Sequence, residues 1–139
     1  MKLRLLVLSA SFALAGLTSA PAASDPSDVM RNDSYIYNGL FAVALADEIR
    51  TQCDSIEPRI IRAISFLRQL HAHARSIGLN DDQIREFVES EAEQDIMRGH
   101  LRRYFEANGV VEGEPETYCV LGRAEIAARS QVGVLLYSR

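Results

Sequence analysis

Two cysteines constrain this chain more than any other residues. Cys53 and Cys119 are its only thiols, and they lie far apart behind an N-terminus built like an export signal. Met1-Lys2-Leu3-Arg4 carries two positive charges, and Leu5 to Leu17 follows as an apolar run broken only by Ser9, Ser11 and Gly16. Small residues come next, Thr18 to Ala23, the order of a cleaved signal peptide. Signal peptidase takes small residues at the last and third-last positions before the cut. Ala20 and Ala22 satisfy it, and the expected cut follows Ala22. The alternative is retention as a membrane anchor, but the run of about 13 residues is short of the roughly 20 that span a bilayer. No cysteine follows closely enough to carry a bacterial lipid anchor. In a compartment that oxidises thiols, the pair is expected to be a structural disulfide.

Three segments are therefore expected: a signal peptide over 1–22, a disordered leader over 23–31, and a single helical domain over 32–139. Losing Lys2 and Arg4 leaves thirteen cations against nineteen acids, a formal charge of −6. That balance argues against a nucleic-acid partner, which needs a basic face. Lys2 is the only lysine, so every fixed cation after the signal is an arginine. No later apolar stretch approaches membrane length, so stable insertion after cleavage is not expected.

The periodicity is helical throughout. Asn32 or Asp33 caps a first helix that runs to about Cys53. Its residues 39–46 carry no polar side chain, and a helix apolar on all sides is usually central. Pro58 opens a second helix, whose apolar stripe is Ile60, Ala63, Ile64, Leu67, Leu70, His71 and Ala74. Gly78 ends it. Asn80 caps a third helix, with Asp81 and Asp82 in the first turn and Gln83 three residues on. Its stripe of Ile84, Phe87, Val88, Glu91 and Ala92 drifts toward Leu101, Tyr104 and Phe105. A kink or break is expected where the drift falls, near Gly99. Pro115 or Glu116 opens the last helix, and Gly133 interrupts it before Val134–Tyr137. No segment shows a clean period of two.

The expected fold is all-α, an up-down-up-down bundle of four helices. In that order the end of the first helix and the start of the last lie at the same end of the bundle, which brings Cys53 and Cys119 together. A bond between them requires Cα atoms within roughly 7 Å, so the first and last helices must be neighbours.

Chemistry is harder to find. The cysteines lack the C-x-x-C spacing of a redox pair, and a zinc site would need more thiols or clustered histidines. His71 and His73 point about 160° apart on a helix and cannot share a metal. His71 falls within the apolar stripe, where a core histidine bonded to a neighbouring helix is one reading and a titrating functional group the other. Glu86, Glu89 and Glu93 share a face of the expected third helix, as a cation site or as a solvated helix front. Glu91 lies in that helix's apolar stripe, buried against an arginine or acting in catalysis. No Glu-x-x-His pair of the di-metal bundles occurs. Arg98, His100, Arg102 and Arg103 form a small basic cluster. Gly122 suits close approach of a neighbouring helix. No catalytic residue, cofactor or metal site is assigned from these patterns.

Several segments carry a resemblance: Asn38-Gly39-Leu40-Phe41, then Asp47-Glu48-Ile49-Arg50 with Cys53, Arg62-Ala63-Ile64-Ser65-Phe66-Leu67, Ala92-Glu93, and Tyr118-Cys119-Val120-Leu121-Gly122-Arg123-Ala124-Glu125-Ile126. Together they resemble a family of small exported alphaproteobacterial proteins classed as a domain of unknown function. The resemblance implies a periplasmic helical domain with this cysteine pair, and no activity. The functional expectation is a non-catalytic periplasmic interaction or structural module, with an unidentified protein as partner. The alternatives are a metal- or ligand-binding protein or enzyme using His71 and Glu91 or the Glu86/Glu89/Glu93 face, and a small-ligand carrier with a cavity beside the first helix.

Overall fold

Helix α2, Ser34–Gln52, touches four other helices and a short strand. Its polar-free centre explains why. Ile36, Gly39, Ala42, Leu45, Ala46 and Ile49 are all buried, and small residues among them let neighbours come close on several sides. The computed structural model describes residues 22–139, so the expected signal segment lies, apart from Ala22, outside the described residues. Asp33 caps α2 by accepting from the Ile36 amide at 2.9 Å, as its sequence position implies.

The segment 23–31, expected to be a disordered leader, instead carries helix α1, Pro26–Asn32. Asp25 caps it and Pro26 takes the first helical position, the two start signals that its polar composition obscured. Met30 is 2% exposed. It is packed in a small core with Ile36, Ala74, Leu79, Ile84 and Phe87. Arg31 adds an ion pair to Glu93, a link between chain segments 62 residues apart.

Helix α3, Ile60–Ser76, is followed by Gly78 in the left-handed region at φ +100. Asn80 and Gln83 form the expected capping box at the start of α4, Asp81–Glu89. The expected break near Gly99 is absent. Gly99 lies inside the unbroken helix α5, Glu91–Ala107. The break is at Ser90, whose extended backbone (φ −63, ψ 120) separates α4 from α5. Ser90 Oγ accepts from the Glu93 amide. Ser90-Glu91-Ala92-Glu93 is a helix-start pattern, and it outweighs a glycine whose added Cβ would meet only Arg103 Nη1 at 3.6 Å.

Helix α6, Pro115–Ala128, lies against α2. Gly122 makes this possible, because a Cβ there would overlap Ile56 and Ile49. The Cys53–Cys119 disulfide ties the end of α2 to the first turns of α6, with Cα atoms 5.2 Å apart. The chain is thus mostly helical, with its cysteines bonded as expected. Two short strands were not expected. β1, Ile56–Pro58, pairs antiparallel with β2, Leu136–Ser138. Pro58 therefore ends a strand rather than opening α3, at a strand terminus where its missing N–H costs little. Gly133 starts a 3-10 turn, Gly133–Leu135, that directs the tail back to β1. A Cβ at Gly133 would overlap the Glu125 carbonyl. The main core gathers Leu45, Ile49, Cys53, Ile56, Phe105, Tyr118, Cys119, Leu121, Leu135 and Leu136.

Reducing the disulfide opens a covalent loop that spans 66 positions of the sequence. On loop-closure entropy this lowers unfolding stability by about 4 kcal/mol. Urea unfolding with and without reductant measures it, and equal midpoints would refute the bond's stabilising role. The placement of the helix break gives a second expectation. Ser90→Ala loses a cap and about 1 kcal/mol. Gly99→Ala, inside a helix, is neutral or gains up to about 1 kcal/mol. Loss of stability in Gly99→Ala with none in Ser90→Ala would put the break back at the glycine.

Candidate interaction surface

The residues singled out for chemistry do not converge. His71 is exposed rather than in the core, with Nε2 3.0 Å from Asp81 Oδ1. Arg75 reaches the same carboxylate at 2.6 Å, and these contacts, Arg75 first, hold Asp81 below its ordinary pKa. Glu91 is exposed at the first turn of α5. His71 is joined to the first residue of α4 and Glu91 lies beyond its last. Nine helical residues at about 1.5 Å each keep them apart. Glu86 and Glu89 lie on α4 beside a shallow depression shared with Asp82 and Arg85, whereas Glu93 turns to Arg31. The break at Ser90 divides the face these three glutamates were expected to share. Among the described residues no group of three His, Cys, Asp or Glu side chains is placed to hold a metal ion.

His73, not His71, is the histidine drawn inward. Its Nε2 is 2.9 Å from Asp33 Oδ2, and its ring meets Tyr35 edge-on at 5.0 Å. The Ile36 amide, with His73 second, holds the Asp33 carboxyl below its usual range. This pair fastens α3 to the start of α2.

The exchange of the two histidines reflects how α3 is rotated. Leu70 and Ala74 are buried and Ala63 and Phe66 half-buried, so the helix packs on one edge of its apolar stripe. The other edge is open. Ile61 is 82% exposed, Ile60 56%, and Ile64 and Leu67 about two-fifths each, with Val88 of α4 beside them at 46%. Beneath Leu67 and Val88 lies a mostly apolar cavity of about 150 Å³, lined also by Met30, Ile36, Leu40 and Ile84, with His71 at its edge. A ligand of ordinary size needs several hundred Å³, whereas this cavity suits one side chain. Residues 59–76 include Arg59, Arg62, Arg68 and Arg75 and no acid. Among the described residues, Arg59, Arg62 and Arg68 have no carboxylate within ion-pair distance. Arg59 instead donates to the Leu136 carbonyl at 3.0 Å and lies over the Tyr137 ring.

A family of unknown function, DUF5333, has a model that matches residues 28–137. The chain belongs to this family. Comparison with curated proteins and with solved structures found no match. The DUF5333 match begins inside α1 and ends within β2, so it takes in both unexpected elements: the helix read as leader and the strand pair.

One buried polar cluster in this DUF5333 chain escaped the sequence reading. Glu125 is 8% exposed. Its carboxylate accepts from Tyr104 Oη and from Ser130 Oγ, and Ser130 Oγ in turn accepts from the Gly133 amide at 3.0 Å. Tyr118, Leu121, Gly122 and Glu125 recur at helical spacing and are all buried, which is the signal that could have found it. The cluster joins α5, α6 and the segment leading into the 3-10 turn. Burial first, and the Glu125 carboxylate second, push the Tyr104 phenol up to about 12. A folded state that keeps its phenol proton loses stability as the unfolded phenol ionises. Stability should therefore fall as pH rises from about 10 to about 12. Tyr104→Phe should flatten part of that decline in pH-dependent unfolding, and an unchanged slope would refute the assignment.

Proposed function

We propose that this DUF5333 chain is a non-catalytic interaction module of the periplasm that docks through the open face of α3. The observation that carries this reading is the exposed apolar row Ile60, Ile61, Ile64 and Leu67, continued by Val88. Contiguous exposed apolar side chains on a folded domain mark interaction sites more often than chance. The disulfide supports a compartment that oxidises thiols, as does the signal-like N-terminus. Among the described residues no helix is long and apolar enough to cross a membrane. Ile61 and Ile64, left exposed, contribute little to folding.

A second reading, a small-ligand carrier, draws on a cleft of about 580 Å³ between α2, α5 and the α5–α6 loop. Glu48, Arg98, Arg102, Glu106 and Tyr118 line it. Its size is within the range of ligand pockets, but opposite charges on its walls offer no single ligand chemistry.

A photo-reactive side chain placed at Ile61 tests the first reading. A second, at exposed Val111 in the α5–α6 loop, is the control. In exporting cells the Ile61 probe is expected to yield a discrete protein adduct in the periplasmic fraction and the Val111 probe none. Equal labelling at both positions, or none at Ile61, overturns the reading.

A further inference from the structure

We infer that the cleft between α2, α5 and the α5–α6 loop binds a short peptide with both ends free. Its ammonium end lies at Glu48, Glu112 and Tyr118, and its carboxylate end at Arg102. This rests on the carrier reading, to which it gives a ligand class, and it does not depend on the α3 face.

Tyr118 singles out this cleft. It is 7% exposed, and its ring meets Phe105 edge-on at 5.1 Å. It nonetheless lines the cleft, where its hydroxyl has no hydrogen-bond partner among the described residues and is not sealed in. A buried ring that presents a free hydroxyl to a cleft is a polar handle for what enters. Burial first, then the carboxylates of Glu48 and Glu112, push the Tyr118 phenol above its ordinary value. The hydroxyl is therefore protonated, with two acids near it. Glu48 spends one oxygen on Gln52 Nε2 at 3.0 Å. Neither acid has an arginine partner among the described residues. A primary ammonium has three N–H donors, and Glu48, Glu112 and the Tyr118 oxygen are three acceptors for them.

The opposite end of the cleft is basic. Arg98, Leu101, Arg102 and Phe105 line it from one face of α5. Arg98 is paired with Asp95. Arg102 has no carboxylate within ion-pair distance among the described residues, although Glu106 follows one turn later. Helices α2 and α5 run side by side in the same direction, since Tyr37 meets His100 and Phe41 meets Tyr104. That register carries Glu48 past the end of α5, level with the loop that holds Glu112. Arg102 then lies roughly 13 Å back along the helix axis, less the reach of the side chains.

Opposite charges on the walls suit no ligand of one sign. They suit one that carries both signs, far apart. A free amino acid has its two charges on a single carbon and does not span the gap. Two or three residues, at about 3.3 Å each, do. Leu101, Phe105 and Val110 supply apolar contact between the charged ends.

The test uses residues 23–139 with the disulfide formed. Three peptides are titrated by calorimetry: alanyl-leucyl-alanine with free ends, its N-acetyl form and its C-terminal amide. Acetylation and amidation are each expected to weaken binding at least about tenfold. Glu48→Gln with Glu112→Gln should erase the acetylation penalty, and Arg102→Gln the amidation penalty. Tyr118→Phe keeps the ring and should weaken the free peptide about five- to tenfold. Thermal unfolding verifies that each variant folds. Equal binding of the three peptides overturns the inference but leaves a ligand cleft. A penalty for acetylation alone assigns the cleft to simple amines and overturns it. Binding indifferent to all the variants places the peptide elsewhere, and no binding of the free peptide at about 10 mM leaves it no site; both overturn the inference. The carrier reading fails separately, if native mass spectrometry shows the chain retaining no small molecule from a periplasmic extract.

Discussion

The burial of α2 on nearly every side is the constraint from which the rest of the architecture follows. A helix without polar side chains over 39–46 has no face to offer water, so four other helices and a strand must cover it. Covering it fully demands close approach. Gly122 supplies that on α6, where a side chain would collide with Ile49 and Ile56. The disulfide then secures the contact at the end where α2 stops, and the C-terminal strand closes over β1 beside it. Removing apolar surface from water is the larger favourable quantity. The covalent bond acts chiefly on the unfolded chain by shortening the loop it must close.

The same demand leaves α3 half used. A single central helix presents limited surface, and α1, α5 and α6 occupy much of it. What remains for α3 is a narrow contact through Leu70, Ala74, Ala63 and Phe66. The stripe on α3 is wider than that contact, so its outer edge, Ile60 to Leu67, stays in solvent. Burial of α1 adds to the effect. Met30 fills the space between α2, α3 and α4 that a deeper-lying α3 would otherwise take.

Much of this was legible in the sequence wherever a signal was local. Asp33 and the Asn80–Gln83 pair mark helix starts because capping is decided within one turn. The cysteine pairing was legible because the chain has two thiols behind a signal-like N-terminus, which leaves one bond to form. Other readings failed for physical reasons. The glycine at 99 was weighed as a breaker, although one glycine in a helix costs only about 1 kcal/mol, while the Ser90 cap four residues after Glu86 offered a competing start. The strands were invisible because β1 and β2 are three residues each and pair across nearly the whole domain; neither is long enough to show alternation. The histidines were exchanged because periodicity shows that a stripe exists but not which edge of it meets the core. At α3 a rotation of about half the stripe's width sends His71 to Asp81 in solvent and His73 to Asp33 at the interface.

That rotation also separates two kinds of arginine. Arg31, Arg50, Arg75, Arg85, Arg98 and Arg123 each lie beside a carboxylate in the folded chain. Such exposed pairs contribute little stability, yet they neutralise local charge. Arg68 stands without that compensation beside Ile64, in a chain whose acids outnumber its cations. Burial of that hydrocarbon by a partner would supply affinity, and a charge beside it would select which partner may come near.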